Sequence, residues 1–191
     1  QGCNGSAGAN QAGAGYFGHV CGLLGLCCVL LVWYAAKARD EGKTIEEVRD
    51  WVLDNMMKVN HWVTVDDLKY LRRGGRISST SAIFGSMLDI KPIITMGKGG
   101  KMDPAEKVQG RKKALRTICD RVAENIENAE SQTVVILHGD VEEEAQKFAE
   151  MLKKRIPEIR DIRIQMIGPV IGAHCGPGTI AACFMGKERS I

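Results

Sequence analysis

Between Leu115 and Met185 the apolar residues switch repeatedly between helical and strand spacing, and this alternation constrains the fold more than any other feature. Leu115, Ile118, Cys119, Val122 and Ile126 recur at the spacing of one helix face. Thr133 to Leu137 is an unbroken apolar run of strand length. Val141, Ala145, Phe148, Leu152 and Ile156 return to helical spacing until Pro157 stops them. Ile162, Ile164 and Met166 then alternate with polar residues, as in a half-buried strand, and Thr179 to Met185 reads as a last strand. Helices and strands in alternation predict an α/β fold: a layered sheet with flanking helices.

The same reading extends toward the N-terminus. Leu30 to Asp40 is expected to be a helix stopped near Gly42, and Thr44-Ile-Glu-Glu47 has the form of a capping box opening a second helix. Ile45, Val48, Val52 and Met56 would give that helix one apolar face. Trp62 to Val65 reads as a strand, Asp66 to Leu71 as a short helix and Ser79 to Leu88 as another. Ile90 to Met96 is a strand whose Pro92 argues for an edge or bulged position. Gly97-Lys-Gly-Gly100 turns the chain into a return strand over Lys101 to Val108.

Residues 1–29 do not share this patterning and are expected to form an atypical head outside the domain at 30–191. The first fifteen are rich in Gly, Ala, Asn and Gln and offer nothing to bury. Tyr16 to Ala36 carries no charged residue apart from His19 and is long enough to be considered as a membrane anchor. Early glycines, the lack of any preceding Lys or Arg, and the continuation into an amphipathic helix argue against that role. The seven cysteines include no CxxC pair, so reduced thiols in a cytoplasmic protein are expected, without a metal site. A net charge of +3 gives no basis for nucleic-acid binding.

Three segments could carry chemistry. Tyr70-Leu-Arg-Arg-Gly-Gly-Arg-Ile-Ser78 joins a glycine pair to arginines suited to grasping a carboxylate or phosphate, though a solvated connecting loop would look the same. Gly168-Pro-Val-Ile-Gly-Ala-His-Cys-Gly-Pro-Gly178 frames His174 with four glycines and two prolines. There a neutral imidazole could bond an acidic headgroup, or merely cap a loop carbonyl. Gly110-Arg-Lys-Lys-Ala-Leu-Arg116 is a basic cluster at a helix start, either a docking surface or a solvated face. His138-Gly-Asp140 reads as a strand end followed by a helix N-cap, and His61 as structural. No G-x-x-x-x-G-K-[ST], G-x-S-x-G or H-E-x-x-H pattern is present.

Taken in order and spacing with Gly85-Ser-Met-Leu-Asp-Ile-Lys-Pro-Ile-Ile94, these segments resemble the DegV family of fatty-acid-binding proteins, over roughly Leu30 to Gly186. The resemblance is to the C-terminal domain of the DegV fold. It implies a carrier that holds a long-chain fatty acid and presents the carboxylate to a separate fatty-acid kinase subunit, with no catalytic residue and no cofactor of its own. It implies headgroup contacts at His174 and Arg76, and a kinase-facing surface that includes Arg73, Arg111, Lys112 and Lys113. Ile77, Ile83, Phe84, Met87 and Ile93 are the candidates for acyl-tunnel wall, although core packing would place the same residues inside.

Members of that family are longer, with an N-terminal domain whose Ser and Thr hydroxyls meet the carboxylate. The domain here is accordingly expected to be incomplete on its N-terminal side, and the chain a truncated copy or one misread over residues 1–29. Membrane contact is expected to be at most transient. Two other functions stay in view: an enzyme using His174 and Cys175 on a small acidic substrate, and a domain anchored in a membrane through residues 16–36.

Overall fold

The computed structural model describes residues 25–75, 89–96 and 102–189. Six strands form one mixed sheet in the order β3-β2-β1-β6-β4-β5. The strands are β1 (Val59–Thr64), β2 (Ile90–Met96), β3 (Met102–Gln109), β4 (Thr133–His138), β5 (Asp161–Met166) and β6 (Ile180–Met185). The helices are α1 (Gly25–Asp40), α2 (Ile45–Asn55), α3 (Lys69–Arg73), α4 (Arg111–Asn125), α5 (Glu142–Arg155) and α6 (Pro169–Cys175). Among the described strands only β4 and β5 are parallel, and α5 supplies the crossover such a pair requires. Every other pairing is antiparallel.

Both faces of the sheet are covered, so every residue of central β1 is buried, polar Asn60, His61 and Thr64 included. On one face Ile93, Val134, Ile136, Ala182 and Phe184 pack with Leu115, Ile118 and Val122 of α4 and with Phe148 and Leu152 of α5. On the other, Val59, Val63, Ile94, Ala181 and Cys183 pack with Leu30 of α1, Leu71 of α3 and Ile171 and Cys175 of α6. Removing a side chain such as Phe148 or Leu152 from water contributes about 1.5–3 kcal/mol. Those two residues are fully buried, as the helical spacing predicts.

The capping box forms as expected: Glu47 N–H donates to Thr44 Oγ1 at 3.3 Å, and Thr44 N–H to Glu47 Oε2 at 2.7 Å. Other expectations need correction. The apolar face of α2 is not buried; Ile45 is 80% exposed, because the helix leans on α1 through the Tyr34–Trp51 ring contact instead of covering the sheet. Met166 is 63% exposed at the end of β5, the outermost strand among the described residues. Pro92 lies on an interior strand and not at an edge, but the bulged alternative is met, with a register shift between Ile93 and Ile94 beside it. The first helix reaches back to Gly25. The expected helix at 79–88 and the turn at 97–100 lie outside the described residues.

Candidate functional site

The register gathers the chosen segments at one end of the sheet. Thr64 and His138 both pair with Ile180, His138 also with Met166, and Ile90 with Gln109. The exit of β1 into α3, the entry to β2, the start of α4, the exit of β4 and α6 therefore crowd together. Backbone bonds tie these loops: Gly139 N–H donates to Thr179 O at 2.9 Å, Gly178 N–H to Gly139 O at 2.8 Å, and Gly110 N–H to Asp89 O at 2.9 Å.

At the centre, α3 packs on α6 and the glycine pair meets the framed histidine. A Cβ placed on Gly74 would lie 2.1 Å from His174 Nδ1, so only glycine lets the chain pass this close to the imidazole. Gly176 follows the same logic against Tyr70: a Cβ there would stand 2.3 Å from the ring, and its φ of +79° already excludes most side chains. The two segments are thus fitted to one another by their glycines, across a hundred residues of sequence or slightly more.

His174 Nδ1 is buried and has no hydrogen-bond partner among the described residues. A buried polar atom left in that state costs about 1–3 kcal/mol. Thr64 Oγ1, at the same end of the sheet and wholly buried, also lacks a partner among the described residues. Reading the sequence missed Thr64, because an alternating strand offers no local mark of an unsatisfied hydroxyl. Lys91, also missed, is only 12% exposed and bonds Asp66 at 2.5 Å, bracing the start of β2 against the loop before α3.

The cationic candidates divide. Arg73 and its neighbour Arg72 are exposed and pair with no described acidic residue. Lys112 and Lys113 are exposed on the first turn of α4. Arg111 is instead committed internally: Nε and Nη2 reach Glu144 of α5 at 2.7–3.1 Å, clasping two helix starts together. Arg76, Ile77, Ile83, Phe84 and Met87 lie outside the described residues. Ile93 is fully buried in the face packed by α4 and α5.

Burial raises the Cys175 thiol to about 12, so it stays neutral and cannot serve as a thiolate nucleophile beside His174. The His138 imidazole accepts from Val141 N–H at 3.3 Å, and Val141, not Asp140, is the N-cap of α5. Among the described residues no group of three His, Cys, Asp or Glu side chains could hold a metal, and no helix is long and apolar enough to cross a membrane.

The sequence model of the DegV family matches residues 21–187. A DegV domain-containing protein of Clostridium perfringens is 45% identical over 160 residues, covering 84% of this chain and 55% of the relative. A fatty acid binding DegV family protein of Streptococcus agalactiae superposes with a TM-score of 0.71 at 30% identity, over 83% of this chain and 55% of that one. The fatty acid kinase B3 protein of Streptococcus pneumoniae, loaded with linoleic acid, has the same fold, with a TM-score of 0.73 over 83% of this chain and 55% of its own, at 19% identity. The chain spans about half the length of each of these relatives.

Proposed function

The chain belongs to the DegV family, and on that premise we propose that it supplies the histidine side of a fatty-acid headgroup site and passes the bound acid to a kinase partner in the cytoplasm. The observation that carries the reading is His174 Nδ1, buried, without a partner among the described residues and closed in by Gly74. A carboxyl group placed there satisfies the nitrogen: a protonated Nδ1 donates to a carboxylate, and a bare Nδ1 accepts from the acid form. The chain itself contributes no chemical step. Arg76 belongs to the same headgroup site by its place in the Gly-Gly-Arg segment, and Ile77, Ile83, Phe84 and Met87 to the wall along the acyl chain; Ile93 is taken up instead by the core under α4 and α5, on the other face of the sheet from α3 and α6. Exposed Arg73, Lys112 and Lys113 offer positive charge to an acidic partner surface or to nucleotide phosphates, and steer encounter more than they add affinity.

Native mass spectrometry of delipidated protein mixed with oleate tests the reading. The expected result is a species with one oleate per chain, whose population falls about tenfold in His174→Ala, the loss of one charge-assisted hydrogen bond. Failure of oleate to bind at concentrations that saturate a full-length relative removes the carrier function from this chain. Oleate binding that ignores His174→Ala moves the headgroup elsewhere. Addition of a fatty-acid kinase and ATP to the loaded protein should yield acyl phosphate, trapped as a hydroxamate.

A further inference from the structure

At the histidine end of the sheet one ammonium serves three acceptors. Lys91 leaves the start of β2 with a side chain only 12% exposed, and its Nζ meets Asp66 Oδ1 at 2.5 Å, the Asp66 backbone carbonyl at 3.2 Å and Asp89 Oδ1 at 3.7 Å. Both aspartate side chains are more than half open to solvent, where an ion pair by itself contributes little. The carbonyl contact changes what the lysine does: it holds the main chain of the β1–α3 connection as well as a side chain.

Asp66 also abuts the segment that frames His174. A Cβ on Gly178 would lie 2.6 Å from Asp66 Cβ, so the chain passes there only as glycine, at φ +79°. Gly178 N–H in turn donates to Gly139 O at 2.8 Å, which fixes this contact to the end of β4. From Asp66 the path to the imidazole is short and tied at each step. Asp67 Oδ1 accepts Lys69 N–H at 2.8 Å as α3 begins, Arg72 N–H donates to Leu68 O at 3.0 Å, and Gly74 N–H to Tyr70 O at 3.0 Å. Gly74 then passes His174 with no room for a methyl group. A displacement of Asp66 therefore carries α3 with it, and a close-packed contact such as Gly74 against His174 has no slack to absorb the movement. Asp89, the remaining partner, accepts Gly110 N–H through its carbonyl and leads to the start of α4 instead.

We propose that Lys91 is a positioning residue for the His174 pocket: through Asp66 it sets where α3 lies against α6, and so how the imidazole is presented to a bound headgroup. The role rests on His174 as the headgroup contact, but it is measured on the imidazole itself.

The test reads the imidazole signals of the four histidines in delipidated protein, with His174 assigned by the signals lost in His174→Ala. Those signals should move in Lys91→Met and in Asp66→Asn, and the double variant should move them no further than the larger of the two. Lys91→Arg keeps the charge and should leave them near the parent position. Oleate binding should weaken about fivefold in Lys91→Met and recover in Lys91→Arg. Asp66→Asn retains the lysine stem, so the answer does not depend on Lys91→Met folding. A bridge that only adds stability would lower Tm in Lys91→Met and leave the His174 signals in place, and that result overturns the proposal. So does a displacement in Asp89→Asn as large as that in Asp66→Asn, since any loss of charge at this end would then suffice. If the His174 signals respond as stated while oleate binds neither parent nor variants, the carrier reading falls and the positioning role stands.

Discussion

Gly74 and Gly75 are adjacent in sequence but are glycine for different reasons, and replacing each by alanine separates them. At Gly74 the backbone is right-handed, with φ −77° and ψ −3°, so alanine fits the local conformation. Its methyl group, however, would lie 2.1 Å from His174 Nδ1 and 3.0 Å from Cε1, where ordinary contact begins at 3.4 Å. Forcing a methyl into such a gap costs about 1–3 kcal/mol, against a gain of at most about 1 kcal/mol from the stiffer unfolded chain. At Gly75 nothing lies within 4 Å, but φ is +66° and alanine pays roughly 1–2 kcal/mol for the left-handed conformation. Both variants should therefore lose a few degrees of Tm, about 2–4 °C per kcal/mol for a chain of this size. Only Gly74→Ala should also displace the His174 imidazole resonances and weaken oleate binding. A Gly74→Ala variant that is more stable than the parent, with His174 signals unmoved, would refute the close approach on which the site is built.

Two further outcomes follow from buried charge. Burial, aided by the nearby Arg189 cation, lowers His61 to about 4 from an ordinary 6.5. A depressed folded-state value means that this stability is fully present above pH 6.5 and is lost as pH falls toward 4, on the order of 3 kcal/mol in all. Urea denaturation across that window should show the slope in the parent and a much flatter one in His61→Phe; equal slopes would dismiss His61 as the cause. The Arg111–Glu144 clasp is bidentate with both side chains less than one third exposed, so a double-mutant cycle with alanine at each should give a coupling of about 1 kcal/mol. A coupling near zero would return Arg111 to the free cationic surface with Lys112 and Lys113.

Much of the architecture could be read from periodicity alone. β4, α5 and β6 appear within a residue or two of their expected bounds, because their apolar spacing reports burial on an α/β layer directly. The capping box at Thr44 was equally legible, since both partners lie within four residues. Failures fall where a neighbour decides. The amphipathic pattern of α2 is real, yet Ile45 stays exposed because α2 reaches α1 and not the sheet. Likewise Met166 alternates as a strand residue should, but β5 is the outermost described strand, and alternation cannot say which face is covered.

The site shows the same division. Sequence alone marked the Gly-Gly-Arg segment and the glycines around His174 as unusual, because glycine and proline at that density signal backbone geometry other residues cannot adopt. It could not say that Gly74 is the residue that lets His174 in, nor that His174 Nδ1 is left without a described partner, nor that Arg111 is consumed by Glu144. Those facts depend on register. The antiparallel alignment of Thr64 with Ile180 brings α3 and α6 to the same end of the sheet, and contacts between residues a hundred positions apart are created by strand pairing, not by any local preference.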